Sequence, residues 1–371
     1  MASLRIDTDI TSEEREQLAK VGYGAESAHA GTCVLVDQGI RHISVNDDQL
    51  EILPLKEALL RYDWVQDLMF GLIAPEANEH VSQAAESRHA PVGHFVRVRE
   101  GAKVKLPVQL FTLLETPQGR QFTHNVTLIE KDAEVEMISG SAVPRSVHAG
   151  HHVSLSETYL REGALCRSIS IERWGAGMTV HSYARTHVGK RARSIDSQIQ
   201  MSPLRYHYAE GRTIVEEDGM ASDQAVVFAA TGTQRVMESE TRLNGLGAHS
   251  ESITRMVTAG GDITNKALLV GAARGTKGFL GCNGLKLTDA GEILSVPSLL
   301  ARSSESQLSH EASVGMISQD KLAYLMASGM GADAARDLII QGFLNLKEEM
   351  IPESLREEVG RMVAAANSGS M

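Results

Sequence analysis

Three short segments of the chain share a turn flanked by β-type residues: REGAKVKL, EKDAEVEM and REGALCRS. Their turn pairs, Gly101–Ala102, Asp132–Ala133 and Gly163–Ala164, fall 31 residues apart. Weaker echoes follow at 189–194 (GKRARS), 217–222 (EDGMAS), 246–251 (LGAHSE) and 274–279 (RGTKGF), at steps of 27 to 30 residues. A repeat of this length, built from short strands without helices, calls for coils stacked one on the next. One coil cannot bury its own apolar edge, whereas a stack buries a continuous core and pairs its backbone between neighbours. The expected architecture over residues 86–315 is a parallel β-helix, with a β-sandwich as the competing arrangement.

The flanks read differently. Residues 1–85 are expected to form an N-terminal α/β region. Thr11 with Glu14 makes a capping box for a helix reaching about Val21. Residues 31–45 (GTCVLVDQGIRHISV) alternate around a turn at Asp37–Gly39, as a hairpin does. LKEALLRYDWVQDLMFGLI (55–73) has helical spacing with a stop near Pro75. From about residue 316 to 371 the helical period returns: 318–329 ends at a glycine, 331–350 sets Ala335, Leu338, Ile339 and Phe343 on one face, and 352–366 begins with a proline. Such a tail either caps the end of the β-helix or docks a partner.

Composition narrows the function. The net charge of −11 argues against nucleic acid and anionic membrane as partners. Aromatic residues are only 4%, too few for stacking platforms on sugars or bases. Three widely spaced cysteines, Cys33, Cys166 and Cys282, make neither a disulfide framework nor a zinc ribbon. The first residues lack a basic and an apolar signal region, and the longest apolar runs, such as 68–74, are too short to span a bilayer. The expected location is cytoplasmic. No GxxxxGK[ST] occurs, so ATP is not bound in the P-loop manner; HEASV at 310–314 is not HExxH; the GxG at 329–331 follows a helix, not a strand.

Four groups of residues carry candidate chemistry. VHAGHHV clusters His148, His151 and His152 at ligand-like spacing, but on a strand His151 and His152 point to opposite faces. Cys166 sits in an alternating strand at the position of Val104 and Val135, which reads as an inward thiol acting as a small hydrophobe. Cys33, in the early hairpin, has less to recommend it. Cys282 lies between Gly281 and Gly284, where the thiol is expected to face outward, and His310 and Glu311 follow about one coil later. Side by side in adjacent coils, thiolate, imidazole and carboxylate form a mixed-hardness set suited to iron or zinc; a turn cysteine beside a polar helix lead-in is the bland alternative.

The interval from Cys282 to Glu311, the string SHEASVGMISQDKLAYLMASGM followed by AARDLIIQGF, and SISIERW at 168–174 together resemble the SufB/SufD core proteins of the SUF iron–sulfur cluster assembly machinery. AGTCVLVDQG (30–39) and LPLKEALLRYDWV (53–65) extend the resemblance over nearly the whole chain. It implies a right-handed parallel β-helix, pairing through the β-helix end and C-terminal helices that dock the ABC-type ATPase SufC. It also implies a transient iron–sulfur cluster passed to recipient apoproteins, with a reduced flavin as a candidate electron donor. In SufB-type members a cysteine matching Cys282 and a glutamate matching Glu311 serve the cluster, and in SufD-type members a histidine matching His310 contributes from the other subunit. This chain holds all three, so the resemblance implies either a homodimer or a SufB/SufD-type heterodimer. The chain departs from many bacterial SufB proteins in two ways: Val188 stands where they carry a persulfide-accepting cysteine, and the N-terminal region is shorter, as in a minimal archaeal-type system. Two other readings compete. A SufD-like structural subunit would have no need of Cys282, and a β-helix polysaccharide lyase would want aromatic sugar platforms and a secretion signal.

Overall fold

A computed structural model describes residues 6–7, 10–86 and 91–344. There the recurring turn is the corner at which one coil passes to the next. Gly101, Asp132, Gly163, Arg191, Asp218, Gly247 and Gly275 stand one per coil, all with φ between 53° and 70°. Glycine takes this left-handed conformation freely and aspartate at modest cost, which is why those residues stand at every one of these corners except that of Arg191. The corners also bond to each other. From Gly101 to Gly247, each corner N–H donates to the carbonyl just before the next corner, at 2.8–3.0 Å. The next residue inward is small and buried in most coils: Ala102, Ala133, Ala164, Ala192, Ala248 and Thr276.

Each coil lays one strand in each of two sheets, giving a β-solenoid of about eight turns. Val135, Cys166, Ser194, Ala221, Ser250, Gly278 and Leu308 occupy successive rungs of the eleven-stranded sheet, all in parallel register. The β-helix is therefore the arrangement adopted, and the β-sandwich is not. Strand alternation sends every second side chain between the sheets, where Val104, Val135, Met137, Cys166, Leu243, Leu269 and Leu280 share one core.

The first strands close one end. Gly31–Val36 and Gly39–Val45 form the expected antiparallel hairpin, which joins the parallel ladder through Val108–Leu113. Leu50–Pro54 pairs antiparallel with His94–Val98 and starts the nine-stranded sheet. Helix Ser12–Ala19 carries the capping box of Thr11 and Glu14 and packs Leu18 on the outer face of the larger sheet, beside Val34, Phe111 and Ile138.

The segment 55–73 is not one helix. Leu55–Arg61 is helical, Asp63–Val65 is a single 3-10 turn, and the rest runs in turns. The reason is a buried carboxylate far along the chain. Glu157, on the outer face of strand Ala149–Leu160, accepts N–H bonds from Phe70 (2.6 Å), Leu72 (2.6 Å) and Ile73 (3.1 Å), and a bond from His124 Nε2 (2.8 Å). Four donors on one anion outweigh the local helical preference. The segment continues into helix Glu79–Ala85 and covers the smaller sheet.

At the other end, helix Gln319–Ala327 stops at Gly329, whose φ is 94°. The N–H groups of Gly329 and Met330 close on Met326 and Leu325 in a Schellman arrangement. Helix Ala332–Leu344 buries Ala335 and Ile340, the latter against the outer core with Phe228, Val257 and Leu285. Leu338, expected on that apolar face, is instead 43% exposed, because the buried stripe runs through Ile340. The helix expected at 352–366 lies outside the described residues. Among the described residues no helix is long and apolar enough to cross a membrane.

Candidate functional site

Cys282 belongs to strand Lys277–Lys286, the next-to-last strand of the larger sheet. Its rung neighbours are Thr254 on one side and Ala312 on the other. Rung by rung, that column runs back through Ala225, Gln198 and Ser170, all on the inward face. The thiol therefore faces inward, contrary to the expectation drawn from its glycine neighbours. Those glycines do not make a turn; they sit in a regular strand whose alternation decides the direction. Cys282 is 2% exposed and packs with Val227, Ala229, Met237, Met256 and Ile263.

That pocket of aliphatics has a polar corner. Asn265 Nδ2 lies 3.5 Å from Cys282 Sγ, and Ser295, the rung neighbour of Asn265, faces the same thiol. Burial raises the Cys282 thiol above its ordinary range, and Ser295 and Asn265 offset part of that rise. Burial pushes Cys33 and Cys166 up to about 12. Cys166, against Met137 Sδ at 3.8 Å, is the inward packing residue its alternation indicated. Val188 is fully buried in the inner core.

His310 and Glu311 lie on Gln307–Met316, the last strand of that sheet, opposite Leu280 and Gly281. The coil-length spacing thus brings them onto the rung next to Cys282. Alternation puts His310 on the inward face with Cys282, two residues from its direct neighbour Ala312, and Glu311 on the outward face. Both are exposed, since the last rung has nothing stacked on it among the described residues. Cys282 is thus separated from the open end by a single rung. Around that end, Leu294 (55%), Val296 (42%), Leu300 (40%), Val314 (46%) and Met316 (54%) stand exposed.

The histidines of VHAGHHV do not converge. His148 is exposed, His151 is half-buried on the outer face, and His152 is interior with its Nδ1 2.8 Å from Gln121 Oε1. Sequence reasoning passed over a buried ionic network inside the solenoid. Arg235, fully buried, donates to Glu172 Oε1 (2.6 Å) and to the carbonyls of Ser202 (2.8 Å) and Phe228 (2.9 Å), and lies 3.0 Å from His207 Nδ1. Glu172 is the acid of the SISIERW string, so that string owes its polar residue to an internal anchor. The signal was available, because a charged residue at an inward position of a strand needs a partner.

Comparison with known proteins follows the same lines. The family model described as "SUF system FeS cluster assembly, SufBD core domain" matches residues 112–343. An iron–sulfur cluster assembly SufBD family protein of Archaeoglobus fulgidus is 29% identical over 354 residues, covering 95% of each chain. One from Methanothermobacter thermautotrophicus is 28% identical over 371 residues, covering 97% of this chain and 89% of its own. The iron–sulfur cluster assembly protein SufB of Bacillus subtilis is 24% identical over 372 residues, covering 98% and 77%. With more than half its length matched by the family model and a β-solenoid beneath the match, this chain belongs to the SufBD family of iron–sulfur cluster assembly proteins.

Proposed function

We propose that this chain is a scaffold that holds a nascent iron–sulfur cluster as cargo and hands it to recipient apoproteins, working with a SufC-type ABC ATPase. The observation that carries the reading is the position of Cys282: one rung below the open end of the solenoid, with His310 and Glu311 on the rung above. A soft thiolate beside harder imidazole and carboxylate ligands suits iron and sulfide. A cluster held by few thiolates is also easier to pass on. Two copies meeting at their open ends would bring together two of each residue.

A thiol that is 2% exposed takes no iron until the last rung moves. That rung runs directly into helices Gln319–Ala327 and Ala332–Leu344, which expose Tyr324, Met326 and Leu338, with Met330 exposed in the link between them. An ATPase docked on them would be placed to pull on the rung. To open the site, it must bind the opened state better in one nucleotide state than in the other, since equal affinity shifts nothing. The absence of GxxxxGK[ST] from the sequence agrees with leaving ATP to a partner.

The burial of Cys282 favours a second reading, a SufD-like subunit that stabilises a separate SufB-type chain. Anaerobic reconstitution with ferrous iron and sulfide, with the SufC-type ATPase and ATP, separates the two. A scaffold develops cluster absorbance that depends on Cys282. A structural subunit develops none until a second, SufB-type chain is added.

A further inference from the structure

Outside the region of Cys282, three histidines from distant parts of the chain converge on the outer face of the smaller sheet. His151 lies on strand Ala149–Leu160 and His181 on the next rung, Gly177–Val188, two residues beyond the position opposite His151. His80 comes from the covering helix Glu79–Ala85. One nitrogen from each lies within 4.8 Å of the other two, and His151 Nε2 is 3.1 Å from His181 Nδ1. The ring of His80 is centred 4.2 Å from that of His181 and 5.6 Å from that of His151. We propose that His80, His151 and His181 form a binding site for a single divalent transition-metal ion of the zinc class, which ties the covering helix to two rungs of the solenoid.

The scaffold beneath these rings is rigid. Val81, next to His80, is 1% exposed and packs with Ile73, Val153, Leu155 and Tyr183, so the backbone of His80 is held against the sheet. Two of the ligands sit on adjacent strands of a hydrogen-bonded ladder. All three rings are half-buried, sheltered from bulk water yet open on one side, an arrangement of three protein ligands that leaves a fourth position for water. Imidazole nitrogens suit zinc and its first-row neighbours, and no carboxylate is needed. Tetrahedral bonds of about 2.0–2.1 Å put ligand nitrogens roughly 3.3 Å apart. His151 and His181 already stand at 3.1 Å, and a side-chain rotation of His80, whose nitrogen is within 4.8 Å of both, closes the remainder. Burial, then the neighbouring His80 and His151 rings, hold His181 down to about 4, and burial first also lowers His151. Unprotonated rings are the form a metal takes. Arg120, the rung neighbour of His151, opposes an incoming cation, a cost that the three nitrogens must outweigh.

The site is independent of the scaffold reading and is tested without it. The tag-free full-length chain, stripped with chelator, is titrated with Zn2+ by calorimetry and with Co2+ by visible absorption. The expected result is one equivalent per chain and a Co2+ spectrum of low coordination number. The double variant His80→Gln/His181→Gln should weaken that equivalent by more than the roughly 100-fold caused by losing a supporting hydrogen bond. His148→Gln and Cys282→Ser should leave it unchanged. Circular dichroism of the metal-free double variant checks its fold, and the single variant His80→Gln, on the covering helix, serves if the double variant does not fold. Absence of a stoichiometric equivalent, its survival in the folded histidine variants, or its loss in Cys282→Ser would each overturn the proposal.

Discussion

Cys282 is a thiol whose environment suppresses the form that does chemistry. Burial raises it, and Asn265 and Ser295 return only part of that rise, so thiolate is scarce at pH 7. In the isolated chain alkylation of Cys282 is expected to be slow at pH 7 and to quicken above the ordinary thiol range. With a SufC-type ATPase and ATP it should quicken at fixed pH, while Cys33 and Cys166 stay protected. Mass spectrometry of the labelled peptides checks this; equal labelling of all three would mean general unfolding rather than an opened end. Cys282→Ser places a hydroxyl where Asn265 and Ser295 already supply polar neighbours, so the loss of stability should stay within about 1–2 kcal/mol. Cluster reconstitution should be abolished in that variant. The adjacency of Cys282 to His310 and Glu311 was legible because their separation is about one coil. The facing of the thiol was not, because two flanking glycines look like a turn until the ladder fixes their alternation. The same rule exposes a missed signal: His151 and His181 are one coil apart as well, whereas grouping by proximity in sequence set His151 with His148 and His152.

The corner of each coil is an element that the sequence announces almost by itself, because left-handed φ restricts which residues can stand there. Gly101 holds φ 70°, and a Cβ built on it would meet nothing within 4 Å. Gly101→Ala is therefore a test of conformation alone and should cost about 1–2 kcal/mol in urea unfolding with an unchanged m-value. Gly211→Ala, at an open strand position without that φ, should fall within about 0.5 kcal/mol of the parent; equal losses would remove the conformational account of the corners. The segment 55–73 shows the opposite case. Its helical period is real, but Glu157 is more than 80 residues away, and no local pattern reports a distant anion. The strands also bury histidines in neutral form. Burial lowers His152 to about 3 and His207 to about 4, both below the unfolded value near 6.5. As pH falls from about 6.5 towards 4, the unfolded chain takes up protons that the native interior refuses. The stability these neutral rings confer is complete above 6.5 and lost on acidification, at up to ~1.4 kcal/mol per pH unit for each ring. Urea midpoints measured across that window should fall, and His152→Gln should flatten the slope.

Seen whole, the solenoid has unlike ends. At one, the hairpin Gly31–Val45 and the antiparallel strand Leu50–Pro54 turn the ladder back on itself. At the other, Ile293–Ala301 and Gln307–Met316 finish the two sheets with no further strand among the described residues. A free edge flanked by Leu294, Val296, Leu300, Val314 and Met316 is a template for another chain's edge, and its apolar side chains gain by being covered. A net charge of −11 works against self-association by general repulsion, so a pairing of two copies has to draw on a specific apolar patch such as this one. If two copies meet there, Val296→Lys with Val314→Lys sets like charges and unsolvated ammonium groups across the seam, a penalty of several kcal/mol. Sedimentation of the parent chain should then give a dimer and that of the double variant a monomer, with the same circular dichroism because neither residue is in the core. A parent chain that sediments as a monomer at tens of micromolar would show that like does not cover like and would overturn the pairing of two copies at this end.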